Sequence, residues 1–480
     1  MKTAARKLLS NLWIAGGIAL VLSAAMLSSC GGGGGGDDGS TGPATSPLPI
    51  ESPLIANSPI LSGSSGTIAT IAGTGAKATN QMDADSDGIT DDPIPAMDAY
   101  FDLPLDMAAG PDGRIYLNDW NGHKVRALGS DGADNYVAFI IGAGLEGDAC
   151  EDMNNDGQID LNPDGSCVAT SQQLNHATNI AFDSAGKMTV AGWHTSKIRQ
   201  VDLAANKVFG ICGTGDRKYV GEGIPCKDAD GNDQVALDLP SGVVYDSNGN
   251  LFIADQANNI IRRIGAADGV IKTVAGNCPA ENTSFGCYDG LGYDGDGGPA
   301  TSAHLRNNVG QETDPQGKIS MGPDGSLYIA DTDNNVVRRV IPGSDGVIGD
   351  GPSSEEIITT VIGDGTGTAG YVGEGVPAST ALLYGPRDIK VAPDGTIYIA
   401  DTENNCIRKV SPGADGVVTG ADDEIITTVA GRCGPDRAFA GDGGPAANAA
   451  LNWPYGVELD AAGNLYIADT YNNRIRVVYK

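Results

Sequence analysis

Two short stretches of the 480-residue chain space oxygen ligands as a hard cation requires. Asp83, Asp85, Asp87 and Asp91 stand around Gly88, and Asp152, Asn154, Asp156 and Asp160 around Gly157. A carboxylate or amide on alternate residues before a turn glycine can wrap about six to eight oxygens around calcium. Solvated acidic turns are the plainer alternative. Other chemistry is offered by Trp120 with His123 and by Trp193 with His194, which replace turn residues found at matching places further along the chain. Brought together, the two pairs would give a ligand a stacking site; the alternative is local packing. Support for an enzyme is thin. The four histidines show no His-x-His or His-Glu-x-x-His spacing, and no serine sits in a nucleophile elbow.

The elements that position these residues must suit a chain rich in turns. Gly 70 and Pro 25 make up about a fifth of the residues, below the roughly 25–30% of low-complexity chains. Glycine at about twice its usual share favours a β fold with many tight turns. Acidic residues number 61 against 30 basic ones, a net charge of −31. Duplex DNA and anionic membrane surfaces would repel such a chain, so nucleic acid is excluded as a partner, while cations and basic surfaces remain open.

Lys2, Arg6 and Lys7 precede an apolar run from Leu8 to Leu27, and Ser28-Ser29-Cys30 follow. Residues 1–29 read as a secretory leader. Leu27-Ser28-Ser29-Cys30 resembles a bacterial lipobox, which implies cleavage before Cys30 and lipidation of its sulfur. An uncleaved anchor is the alternative, because the run is nearly long enough to span a bilayer. Gly31, rather than aspartate, follows the cysteine; by the same resemblance this implies the outer membrane of a bacterial cell envelope. Residues 30–65, six glycines and then a Ser/Thr/Pro/Gly-rich stretch, read as a flexible tether. Eight cysteines remain beyond Cys30, an even number suited to disulfides in an oxidising compartment.

Four segments superimpose: Gly249-Asn-Leu-Phe-Ile-Ala-Asp255, Gly325-Ser-Leu-Tyr-Ile-Ala-Asp331, Gly395-Thr-Ile-Tyr-Ile-Ala-Asp401 and Gly463-Asn-Leu-Tyr-Ile-Ala-Asp469. Weaker copies at Gly113 to Asp119 and Gly186 to Gly192 precede them, and the last residues of the six units lie 73, 63, 76, 70 and 68 apart. A period this long with strand-like content means radial repetition. Within the fifth unit, runs beginning at Asp388, Thr396, Cys406 and Glu424 each read as a short strand between turns. Four antiparallel strands make a propeller blade. The motifs resemble NHL repeats over about residues 66–480, and Gly295-Asp-Gly-Gly-Pro-Ala300 and Gly441-Asp-Gly-Gly-Pro-Ala446 resemble connections in bacterial and teneurin-type NHL propellers. The resemblance implies an all-β, six-bladed β-propeller. The last unit ends at its third strand, whereas Gly66-Thr-Ile-Ala-Thr-Ile-Ala-Gly73 matches fourth strands such as Ile426-Thr-Thr-Val-Ala-Gly431. The N-terminal strand is therefore expected to close the last blade and remove an open edge.

On that fold, the loops after the second and fourth strands share one face. The long insertions at 74–98, 143–174, 214–236, 277–304, 364–382 and 432–450 all belong to it. Cys150 with Cys167, Cys212 with Cys226 and Cys278 with Cys287 each fall within or beside one insertion, while Cys406 begins a third strand and Cys433 follows the fourth. Antiparallel pairing brings those last two within bridging range, giving four expected disulfides. Asp255, Asp331, Asp401 and Asp469 are expected to accept backbone hydrogen bonds in their turns. Arg262, Arg338, Arg408 and Arg476 are expected to face outward from half-exposed strands and pair with acids. The acidic loops resemble EF-hand or thrombospondin-type calcium loops. Ile94 and Pro163 stand where an EF-hand has its bidentate Glu, so a structural calcium would be held at only about 10⁻⁴–10⁻³ M. Together these residues imply a lipid-anchored, monomeric binding or scaffold module rather than an enzyme, taking a protein or glycan ligand on the insertion-bearing face around Trp120, His123, Trp193 and His194. Related propellers imply a metal-dependent lyase or lactonase as one alternative; a surface adhesin or spacer is another.

Overall fold

Short apolar runs rich in β-branched residues, such as Ile397–Asp401 and Leu465–Asp469, are buried almost throughout, as strands covered on both faces must be. The computed structural model describes residues 57–77, 93–144, 146–150, 159, 161–162, 166–278, 287, 292–308, 313–352 and 354–480. Six antiparallel sheets follow one another along the chain. Their innermost strands are Pro104–Ala109, Ala177–Phe182, Pro240–Tyr245, Ile319–Met321, Pro386–Val391 and Gly456–Leu459, which number blades one to six. The sixth sheet is completed from the other end of the chain. Ile68–Ala72 pairs with Arg474–Val478, Ile68 opposite Val478 and Ala72 opposite Ile475. The expected six-bladed propeller, sealed by its N-terminal strand, is the observed fold.

The blades differ from the expected four strands in one respect. Five of them carry a fifth, two-residue strand at the outer edge, as where Ile94–Pro95 lies beside Asn135–Ile141 and Val376–Pro377 beside Ile425–Ala430. In blade six a bridge from Thr67 to Pro445 takes that place. These pieces come from the ends of the insertions, and in every blade but the second, where the piece is Cys167–Val168, a proline there removes a donor from the exposed edge. A 3₁₀ turn follows, for example Ala378–Thr380, and carries the chain inward.

Six apolar clusters fill the seams between neighbouring blades. Tyr116, Val125 and Ile140 of blade one meet Ile180, Met188 and Val190 of blade two, and Ile475 and Val477 of blade six meet Phe101, Met107 and Leu117 near blade one. Each fully buried side chain of this size contributes about 1.5–3 kcal/mol. The core thus belongs to the ring, not to single blades. Residues 57–62, expected in the tether, also join it: Asn57 bridges Ser130, the Ile60 N–H donates to Asn135 Oδ1 at 2.6 Å, and Leu61 packs on the seam between blades six and one. Polar backbone in this stretch finds partners at the 130–135 turn, which moves the end of the expected tether back to before Asn57.

Candidate functional site

The turns between second and third strands set the geometry of the insertion-bearing face. In blades three to six, Asp255, Asp331, Asp401 and Asp469 end the second strand fully buried. Each accepts a backbone N–H on Oδ1, from Asp238, Arg306, Tyr384 and Asn452 respectively, at 2.7–2.8 Å. Each also accepts an asparagine amide on Oδ2, from Asn258, Asn334, Asn404 and Asn472, at 2.9–3.0 Å. The arginines correct the sequence expectation. Arg262, Arg338, Arg408 and Arg476 have no exposed surface and approach the same carboxylates at 3.3–3.9 Å. The reason is that the insertions fold back over the third strands, where carbonyls of Gly221, Asp294, Gly373 and Ala440 accept from the guanidinium groups. Burial pushes the Asp255 carboxyl up to about 7 and those of Asp331, Asp401 and Asp469 to about 6, against the pull of the donors around them.

Blades one and two break this pattern and give the released positions to rings. His123 occupies the left-handed position, φ 51°, that Asn259, Asn335, Asn405 and Asn473 hold at 50–58°. Gly142 lies so close that a Cβ there would run into the His123 carbonyl. Trp120 and Trp193 stand where Thr332, Thr402 and Thr470 donate their hydroxyls to a proline carbonyl of the next blade. The structure brings Trp120, His123, Trp193 and His194 together. The two indoles are 5.7 Å apart between centroids, and Trp193 stacks on His194 at 4.7 Å. It adds His176, at φ 60° before the innermost strand of blade two, with its ring 4.5 Å from His123 and 4.7 Å from His194. His176 could have been found by the same logic as the others, since Leu103 and Leu239 stand at its place in neighbouring blades. Desolvation, then the two imidazoles beside it, push His176 down to about 3, and desolvation also lowers His123. Both indole Nε1 groups are buried with no acceptor among the described residues.

A second ring cluster crosses blades five and six, where the repeat looks regular. Trp453 takes the place of Gly385, and Tyr471 that of Asp333 and Glu403. Trp453 meets Tyr471 at 5.1 Å, Arg437 lies 4.3 Å over Trp453, and Arg387 lies 4.6 Å over Tyr455. Tyr455 donates its hydroxyl to Asp314 at 2.8 Å. Tyr384 and Tyr471 are 43% and 41% exposed, and Trp453 Nε1 is a third buried indole N–H without an acceptor among the described residues. The signal here was again a broken repeat, hidden because the surrounding motif is intact.

Toward the axis, strand register aligns Asp106, Asn179, Gly242, Asp388 and Gly456, one from each of five blades. Lys318 completes the ring in blade four, its carbonyl accepting the Ala330 N–H as the register requires. Its Nζ lies 2.7 Å from Asp106 and 3.9 Å from Asp388, and Asn179 donates to Asp106 at 2.6 Å. Burial pushes the Asp388 carboxyl up while Lys318 pulls it down. Lys390 pairs with Glu458 at 2.7 Å in the next layer, beside an axial cavity of about 250 Å³.

A family model described as NHL repeat matches residues 383–410 and 451–478, which span blades five and six. The chain is a six-bladed β-propeller that contains NHL repeats. This NHL propeller is 24% identical to mouse (Mus musculus) Teneurin-1 over 396 residues, 80% of this chain and 13% of that protein. It is 26% identical to the Arabidopsis thaliana chloroplastic protein SUPPRESSOR OF QUENCHING 1 over 314 residues, 64% of this chain and 25% of that one. The chain thus spans a minor part of the length of these relatives. Among solved structures, a Bacteroides thetaiotaomicron protein of unknown function has the same fold, with TM-score 0.54 and 16% identity, covering 85% of this chain and 74% of that one. An auxiliary nutrient binding protein from the same organism gives TM-score 0.52 and 15% identity, with coverage of 85% and 75%. In the NHL propeller, Cys150–Cys167, Cys212–Cys226, Cys278–Cys287 and Cys406–Cys433 are the four disulfides. Asp83, Asp85, Asp87, Asp91, Asp152, Asn154, Asp156, Asp160 and Cys30 lie outside the described residues.

Proposed function

We propose that the protein is a binding module of the bacterial cell envelope, held at the outer membrane by lipid on Cys30, that takes a protein or glycan ligand on its insertion-bearing face. The observation that carries this reading is the patch on blades five and six, where Tyr471 is open to solvent and Trp453, Arg387 and Arg437 stand beside it. Trp, Tyr and Arg supply most of the energy at recognition surfaces, and an indole N–H without an acceptor is a place for a ligand oxygen. Calcium in the loops around Gly88 and Gly157 would stiffen insertions on the same face. The metal-dependent enzyme alternative is weaker on the axis because the Lys318 ammonium already stands between the convergent carboxyl groups of Asp106 and Asp388, where a cation would sit. The test is to probe a glycan array and an outer-membrane protein overlay with the purified chain, beside Tyr471→Ala and Arg437→Ala. Saturable binding lost in both variants supports the reading. Binding to neither surface, or binding indifferent to both variants, ends it.

A further inference from the structure

The geometry points to a transition-metal site, of the kind zinc takes, between blades one and two, with His123, His176 and Glu146 as ligands. One ring nitrogen of each histidine and a carboxylate oxygen of Glu146 lie within 4.8 Å of one another, and His123 Nε2 is 3.7 Å from Glu146 Oε1. Neighbouring ligand atoms around a tetrahedral zinc stand about 3.4 Å apart, so an adjustment of about 1 Å closes the set. Glu146 can supply it, because its side chain is 67% exposed while both imidazoles are held in the interior.

At His176 the surroundings suit ligation. His176 Nδ1 faces Asn175 Oδ1 at 2.8 Å, and the tautomer that donates to this amide oxygen keeps its lone pair on Nε2. An acceptor behind the far nitrogen is what orients a metal-binding imidazole. His194 Nδ1, 2.9 Å from the same nitrogen, braces the ring from another side. His123 Nδ1 accepts the His176 backbone N–H at 3.4 Å, so in the metal-free ring the hydrogen sits on Nε2 and has to be released when that nitrogen takes a metal.

Packing alone does not account for this arrangement. Three of the four histidines in the chain converge here from three non-equivalent repeat positions, in place of asparagine, of leucine and of an acidic or aromatic residue. Two of them adopt left-handed backbone, His123 at φ 51° and His176 at φ 60°, where histidine is less usual than glycine or asparagine. Imidazole nitrogen selects zinc or copper over calcium, which sets this site apart from the oxygen-only acidic loops. Three protein ligands leave a fourth position open, and the indole N–H groups of nearby Trp120 and Trp193 have no acceptor among the described residues.

The test titrates zinc chloride into the full chain, stripped by chelation and kept in about millimolar calcium so that oxygen sites are filled. One equivalent of zinc per chain is expected by calorimetry and elemental analysis, and cobalt in its place should show the visible bands of a tetrahedral site. His123→Asn restores the residue that blades three to six carry at this left-handed position, so the fold should survive with an unchanged metal-free unfolding temperature. Zinc affinity should fall at least about tenfold and the cobalt bands should vanish. The exposed Glu146→Gln change should also weaken zinc about tenfold, and it decides the matter if His123→Asn unfolds. No stoichiometric zinc in the wild-type chain, or zinc held by the folded variants within about threefold of wild type, overturns the assignment.

Discussion

In blades three to six one turn repeats a buried aspartate, an asparagine amide and a buried arginine, whereas blade one has Gly122 for the asparagine and blade two has Gly192 for the aspartate. Blade one keeps its ion pair, Asp119 with Arg126 at 2.8 Å. In blade two, Arg199 turns instead to Asp148 from the preceding insertion and to Thr195 Oγ1 at 3.2 Å. The Cys150–Cys167 disulfide ties that same insertion down. In blade two a bridge and a borrowed acid hold the turn, so its residues can become Trp193 and His194; in blade one Asp119 still accepts the Asp102 N–H at 2.7 Å, and the two asparagine places pass to Gly122 and His123. Blade six shows how little freedom the intact turn leaves: Asp469, Asn472 and Arg476 stay in place, and the added ring, Tyr471, sits at a turn position outside that set.

The largest effect should come from breaking the ring that both halves share. Deleting residues 66–73 removes the buried side chains of Ile68, Ile71 and Ala72 and leaves Arg474–Val478 as an open edge. Lost burial and pairing together exceed about 5 kcal/mol, a large part of the roughly 5–15 kcal/mol that holds a typical domain. Circular dichroism on heating should show loss of the cooperative transition, and a truncated chain that melts as wild type does would refute closure as the source of stability. Next come the two ways of satisfying the arginine. Asp401→Ala strands the buried Arg408 and should cost about 3–5 kcal/mol in urea unfolding. Asp148→Ala should cost less, about 1–3 kcal/mol, because Asp148 is itself 39% exposed and the buried Arg199 keeps its bond to Thr195. Equal costs would erase the distinction between the two halves.

Disulfides give a smaller and graded effect. Replacing Cys406 and Cys433, 27 residues apart, by alanine should lower stability by about 3.5 kcal/mol, and replacing Cys278 and Cys287, nine apart, by about 2.6 kcal/mol. Urea midpoints in the reverse order would show that these bridges act through local loop order rather than chain entropy.

Blade number, the closing strand and the cysteine pairs were legible because each depends on a pattern within one repeat or on a match between two. What was not legible depends on chain from elsewhere. Nothing near Arg408 or Arg476 announces that Gly373 and Ala440 will cover it. His176 joins the imidazole cluster through a contact with His123, 53 residues away. Lys318 stands seven residues before Gly325, as Asp106 and Asp388 do before Gly113 and Gly395, but nothing in the sequence tells that its ammonium reaches Asp106, 212 residues away. The ring pairs of blades one and two could be named beforehand because they stand in visibly weakened repeats, while Trp453 and Tyr471 hide within strong ones.

The smallest effect is in the response to pH, and it sets the regular turns apart from blade two. Asp331, Asp401 and Asp469 titrate at about 6 in the fold, above the ordinary aspartate value of 3.8. Between those values the native chain keeps protons that the unfolded chain has released, so their contribution to stability grows as pH falls toward about 5 and is lost as pH rises through about 6. Blade two, with Gly192 at this place, has no such carboxyl to contribute. Asp469→Asn removes one titrating group and keeps a side-chain oxygen for the Asn452 N–H. Its urea midpoint should therefore change less than that of wild type between about pH 7.5 and 5. If the two slopes coincide, Asp469 stays ionised throughout that range, held by Arg476 and Asn472, and the acid in each regular turn is a permanent ion rather than a proton store.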